Sequence, residues 1–194
     1  KFKIKNNNKL EDFPMLPVRI FKKFDLKSVS EDKIVKKLVS SGTSGQELSK
    51  IYLDKKNASD QVRVLGKIMS TILGNKRLPM LIVDQNPKML DRLIFSARAA
   101  AIYGFSIFGT KHCYLLDKKN KIAYVSLNNF LKNYSKDKFL IFGFTSLVYE
   151  NLIQKLSANL IKSDFQNGIL IHGGGWKKME KLKVNNSIFK KKLI

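Results

Sequence analysis

The sequence predicts an α/β domain in which layered sheets are flanked by helices. Strand-like apolar runs alternate with segments of helical periodicity, and two glycine-rich turns each follow such a run directly. The hydrophobic content of 44% supports a real core, and 10% aromatic residues are too many for a disordered chain. A length of 194 residues fits one domain or one large lobe of a larger protein.

The first strand is read at Ile34–Val39, running into Ser40-Ser41-Gly42-Thr43-Ser44-Gly45, with Lys50 opening the next apolar segment, Lys50–Asp54. Asn57 is placed to cap a helix whose apolar positions Ala58, Val62, Leu65, Met69 and Ile72 recur at helical spacing, with Gly74 to end it. Pro79–Asp84 reads as a buried strand with a polar residue at its carboxyl end. Pro87 then starts a helix carrying Leu90, Leu93, Ile94, Ala97 and Ala101, finished near Gly104. Short strands around Cys113–Leu116 and Ile122–Val125 flank a polar turn, Asp117–Asn120, and suggest a hairpin. Phe139–Phe142 is a further strand, leading through Gly143 into a helix with Val148, Leu152, Leu156 and Leu160 on one face. Gly168–Ile171 is the last strand and runs into His172-Gly173-Gly174-Gly175-Trp176-Lys177-Lys178.

Apolar stretches are broken well short of a bilayer's width, and Lys1–Lys5 followed by three asparagines has no signal-peptide core. One cysteine, Cys113, allows no intramolecular disulfide, and with two histidines it offers a poor ligand set for structural zinc. A reducing, cytoplasmic setting is the default expectation. The net charge of +22 raises the question of nucleic acid. Its 37 basic residues are 32 Lys and five Arg, spread from Lys1 to Lys192 with a single triplet at Lys190–Lys192. Nucleic-acid readers concentrate Arg and pair it with aromatic platforms, so solvated lysine faces are the plainer reading. Such a charge still attracts anionic substrates such as ATP, or an acidic partner.

Two loops carry candidate chemistry. In Ser40–Gly45 the glycines free the backbone to bring N–H groups to a ligand, and four hydroxyls add donors. Lys50 supplies a point cation. The loop lacks the Walker spacing, and Ser/Thr/Gly-rich turns are also common as plain loops. Gly173, Gly174 and Gly175 suit a close ligand approach at the carboxyl end of a sheet. There Trp176 can wall a pocket, His172 can hydrogen-bond across it and Lys177 can attract an anion. The alternatives are a simple turn, a core tryptophan and a satisfied histidine. Both loops are expected at one carboxyl edge.

Leu38–Gln46 resembles the phosphate loop of the adenylate-forming (ANL) superfamily. More narrowly, the chain resembles the acyl-protein synthetases of the LuxE family. The matching segments are Leu16–Lys22, the Ser-Ser-Gly-Thr-Ser-Gly loop, Lys50–Asp54, the alanine-rich helix before Gly104-Phe105-Ser106, Phe142–Thr145, and Ile171–Lys178. They follow family order over nearly the whole chain, and His-Gly-Gly-Gly-Trp-Lys-Lys is the most specific of them.

The resemblance implies an ATP- and Mg2+-dependent ligase that activates a fatty acid or other carboxylate as an acyl-adenylate. The acyl group then passes to a thiol and on to an acyl-accepting reductase or carrier protein. It assigns Ser40, Ser41, Gly42, Thr43, Ser44, Gly45 and Lys50 to the phosphates. His172, Gly173, Gly174, Gly175, Trp176 and Lys177 fall to the adenylate and acyl group. It also implies that residues 1–194 are an incomplete N-terminal adenylating domain, lacking a C-terminal domain with its catalytic lysine and nucleophilic cysteine. Cys113 does not match that nucleophile. A catalytically incomplete nucleotide- or acyl-binding module is the alternative, and a basic nucleic-acid binder a distant third.

Overall fold

The computed structural model of the chain describes residues 9, 11, 13, 15–39, 48–87, 97–156 and 162–193. The Ser40–Gly45 loop, the helical positions Leu90, Leu93 and Ile94, and Leu160 lie outside the described residues. Two compact units divide at Leu65/Gly66.

The first unit, Lys1–Leu65, holds a one-turn helix α1 (Ile20–Lys23), a 3-10 turn (Glu31–Lys33) and strands β1 (Ile34–Val39) and β2 (Lys50–Asp54). The two strands pair antiparallel with Lys37 opposite Tyr52 and Val39 opposite Lys50, and the register shifts between Ile34 and Lys36. Helix α2 (Lys55–Leu73) begins in this unit and crosses the division. Its cap is Asp54, whose carboxylate accepts the Asn57 N–H at 2.7 Å; Asn57 itself is inside the helix. Gly74 ends α2 as expected, with φ of +69°. Of the five apolar positions read as its inner face, Met69 is buried, whereas Val62 and Ile72 are exposed.

The second unit, Gly66–Ile194, is built on a parallel sheet of order β4-β3-β5-β6. Its strands are β3 (Leu78–Val83), β4 (Gly109–Tyr114), β5 (Phe139–Phe144) and β6 (Gly168–Gly173). A central parallel strand is covered on both faces and so reads as a continuous apolar run, as β3 and β5 do. Pro79, which lacks an N–H, sits where β3 has only β4 beside it; pairing with β5 starts at Met80. On one face Leu81, Val83, Phe139 and Ile141 pack with residues of α4 (Tyr124–Tyr134) and of the helical segment after β5. Elsewhere, Phe105 of α3 (Ala97–Ser106) stacks on Phe142 at 4.3 Å. Helix α3 ends at Ser106, two residues past the Gly104 near which it was expected to finish.

The hairpin expected after Cys113 reduces to one antiparallel bridge, Leu116 with Ile122. Asp117 closes the polar turn by accepting the N–H groups of Lys119 and Lys121. Tyr124 and Val125 then begin α4 instead of forming a strand. Leu127, Phe130 and Leu131, buried at helical spacing, outweigh the short β-branched stretch before them.

The segment after β5 starts as α5 (Thr145–Leu147) and continues as a π-helix, Val148–Lys155. Buried Asn151 gives the widening a local cause. Its side-chain amide takes the Leu147 carbonyl, the acceptor that an α-helical turn would use. Short 3-10 turns (Lys162–Phe165, Lys177–Leu182) flank β6, and α6 (Asn186–Leu193) closes the chain. None of the helices is long and apolar enough to cross a membrane among the described residues.

The strand preceding the serine-rich loop thus belongs to a separate antiparallel pair. The expectation that both loops extend from the parallel sheet is corrected. β1 is exposed at four of its six positions and intermediate only at Ile34 and Leu38, and it lacks the continuous apolar run that a doubly covered strand requires.

Candidate functional site

The carboxyl edge of the parallel sheet gathers polar groups on top of an apolar core. At the end of β3, Asp84 is 1% exposed, and Arg98 of α3 holds both its oxygens, with Nε at 2.6 Å from Oδ2 and Nη2 on Oδ1. The Gln85 N–H adds a third bond to Asp84 at 2.6 Å, while the Gln85 side-chain amide donates to the Asp117 carbonyl at 2.7 Å. A buried carboxylate so fully partnered is a structural clamp between strand and helix.

Beside it, β5 and β6 end in register, Gly143 opposite His172 and Phe144 opposite Gly173. Thr145, one residue past this ladder, lies 3.0 Å from His172 Nδ1 and 3.2 Å from the Gly173 carbonyl. Phe189 of α6 stacks on the imidazole with ring centroids 4.8 Å apart. Partial burial lowers the His172 pKa from its ordinary 6.5, which keeps the ring neutral at physiological pH.

The glycine turn divides by position. Gly174 has φ of +83°, a conformation that excludes most side chains, and a Cβ there would meet the Phe144 ring at 3.1 Å. Gly173 and Gly175 have no such backbone demand, and no described atom lies within 4 Å of where a Cβ would stand. Their bare backbone faces open space. Trp176 is 9% exposed and meets Tyr149 and Phe189 edge-on, so it roots the turn in the core. Lys177 opens the following 3-10 turn.

In the first unit, Lys50 pairs with Asp25 at 2.9 Å. The Lys50 hydrogen bond holds the Asp25 carboxyl below the usual carboxylate range. Lys27 and Lys37 stand over the Tyr52 ring at 5.1 and 5.5 Å. Cys113 is buried on β4 with Sγ 3.6 Å from the Ser126 carbonyl, and burial pushes its thiol up to about 11. Among the described residues no group of three or more His, Cys, Asp or Glu side chains could hold a metal ion.

The structure therefore brings His172 and the three glycines together at one sheet edge, over a buried Trp176. It adds Thr145, Asp84 and Arg98, which sequence reasoning did not single out. For Thr145 the sequence offers only its position directly after an apolar strand; its closeness to His172 follows from the pairing of β5 with β6.

A parallel four-stranded sheet flanked by helices, beside a small antiparallel pair, defines an α/β protein. The family model of acyl-protein synthetase, LuxE, matches residues 2–194, and the chain belongs to that family. No curated protein and no solved structure matches it.

Proposed function

We propose that this chain takes part in ATP-dependent activation of a fatty acid or related carboxylate, followed by acyl transfer to a protein thiol. The observation that carries this reading is the family match across residues 2–194. The bare, open backbone of Gly173 and Gly175 at the carboxyl edge of β6 supports it.

In the first step a carboxylate oxygen attacks the α-phosphorus of ATP. The bond to the bridging oxygen breaks, and pyrophosphate leaves an acyl-adenylate. The protein's part is positioning and charge neutralisation. Ser40 to Gly45 would supply hydroxyl and amide donors to the phosphates, with Mg2+ carried on the triphosphate. Lys50 would exchange Asp25 for a phosphate oxygen. His172 to Gly175 would border the adenylate and acyl group, with Trp176 anchoring the turn and Lys177 adding positive charge.

In the second step a thiolate attacks the acyl carbonyl and AMP leaves. That sulfur is not Cys113, whose burial and raised pKa disfavour the thiolate. The thiol is supplied by a segment outside these residues or by a partner such as a reductase or carrier protein. The second reading, a nucleotide- or acyl-binding module without turnover, rests on this same lack of a poised thiol.

Titration calorimetry with ATP, on the natural chain and on a Thr43→Ala/Ser44→Ala variant, tests the assignment. A hydroxyl bonded to a charged oxygen is worth about 1.5–3 kcal/mol. The double variant is expected to bind at least tenfold more weakly. Equal affinity would remove the loop from the phosphate site.

A further inference from the structure

The Thr145 hydroxyl has one proton and two neighbours, His172 Nδ1 at 3.0 Å and the Gly173 carbonyl oxygen at 3.2 Å. A carbonyl can only accept, so for both contacts to be hydrogen bonds the hydroxyl proton goes to the Gly173 oxygen. The remaining contact is a hydrogen bond only if His172 carries its proton on Nδ1 and donates it to Thr145 Oγ1. We propose that Thr145 is a positioning residue that fixes His172 as the Nδ1–H tautomer and presents Nε2 as a neutral hydrogen-bond acceptor beside the glycine turn.

Several features hold this arrangement in place. Thr145 is 9% exposed and is the first residue of α5, directly after β5 and one turn before the π-helix. The His172 ring plane is set by Phe189 on its face, at an interplanar angle of 26°. His172 itself is exposed, and no described residue partners its Nε2. A histidine's free nitrogen takes its role from the bond its other nitrogen makes. An acceptor nitrogen here suits a donor group, such as a ribose hydroxyl or an adenine amine. It is a poor match for a carboxylate or phosphate oxygen. That use of the site rests on the nucleotide reading above; the tautomer does not.

The full chain labelled with 15N provides the test, since it has two histidines and a His172→Gln variant assigns the second set of ring signals. At pH 7.5 His172 is expected to show a protonated, pyrrole-like Nδ1 and a pyridine-like Nε2. Thr145→Ser should preserve that pattern, and Thr145→Val should shift the ring toward the Nε2–H form. A natural chain with His172 mainly Nε2–H would overturn the inference without any variant. A Thr145→Val spectrum identical to the natural one would do the same. Adding AMP separates the two layers. Movement of the Nε2 signal supports the nucleotide reading. An unmoved signal counts against that reading while leaving the positioning role of Thr145 in place.

Discussion

In the Lys1–Leu65 unit, Leu53 is the one apolar side chain fully buried among the described residues, and Val35, Val39 and Ile51 of the strands face solvent. The Gly66–Ile194 unit surrounds its sheet with a contiguous core from Leu81 to Phe189. Surface ion pairs occur in both units, Lys155–Glu150 and Lys183–Glu180 in the second, but among the described residues only the second unit has a pair with a buried carboxylate. Asp25–Lys50, Lys27–Glu31 and Lys56–Asp60 lie at the surface, whereas Asp84–Arg98 buries its carboxylate under the sheet edge. One glycine-rich loop therefore leaves a hairpin-like pair with little packing behind it, and the other is rooted in a core by Trp176.

The sharpest way to break that comparison is to remove one member of each pair. Arg98→Leu strands a buried carboxylate, and such losses cost about 3 kcal/mol or more. Lys50→Leu removes the partner of an exposed carboxylate, and its effect should fall within the error of a urea midpoint. Urea unfolding followed by circular dichroism measures both. Equal shifts would mean that the clamp at β3 is no stronger than a surface pair.

The parallel core was legible because Leu78–Val83, Phe139–Phe144 and Gly168–Gly173 are apolar runs that no other element accommodates as well. The separate pairing of β1 with β2 was not, because strand partnership is a long-range property that the runs themselves do not encode. Trp176 illustrates the same limit at the site. Its burial depends on Tyr149, far earlier in the chain, and on Phe189, which follows a turn. His172 and the glycines were singled out by residue type, by their place directly after a strand and by the resemblance to the family. Thr145 was passed over because its role exists only when β5 and β6 lie side by side.

The glycines sharpen the comparison at smaller amplitude. A Cβ on Gly143 would stand 2.8 Å from both Val83 Cβ and Val148 Cγ2, in a region with no slack. Gly143→Ala should destabilise by about 1–3 kcal/mol. Gly175→Ala meets no described atom and should leave stability unchanged or slightly higher, by up to about 1 kcal/mol. Under the proposed function it should nevertheless weaken nucleotide binding. Thermal unfolding and calorimetry on the two variants separate packing glycines from ligand glycines. A Gly175→Ala chain that binds ATP as well as the natural one would return the turn to plain connectivity.

The smallest expected effect is at Cys113, where the core itself determines reactivity. Thioester formation needs a thiolate within reach of an activated carbonyl. Burial raises this thiol from 9.0 to about 11, so it holds about 100-fold less thiolate than an exposed cysteine at the same pH. The fold therefore favours the protonated thiol. This contribution is complete below pH 9.0 and is lost as pH rises toward about 11. Incubating the chain with ATP, Mg2+ and radiolabelled fatty acid should therefore leave no hydroxylamine-labile label on denaturing gels, and Cys113→Ala should look the same. Label that disappears in Cys113→Ala would make this strand cysteine an acyl acceptor, and burial in the core of the second unit would then not decide its reactivity.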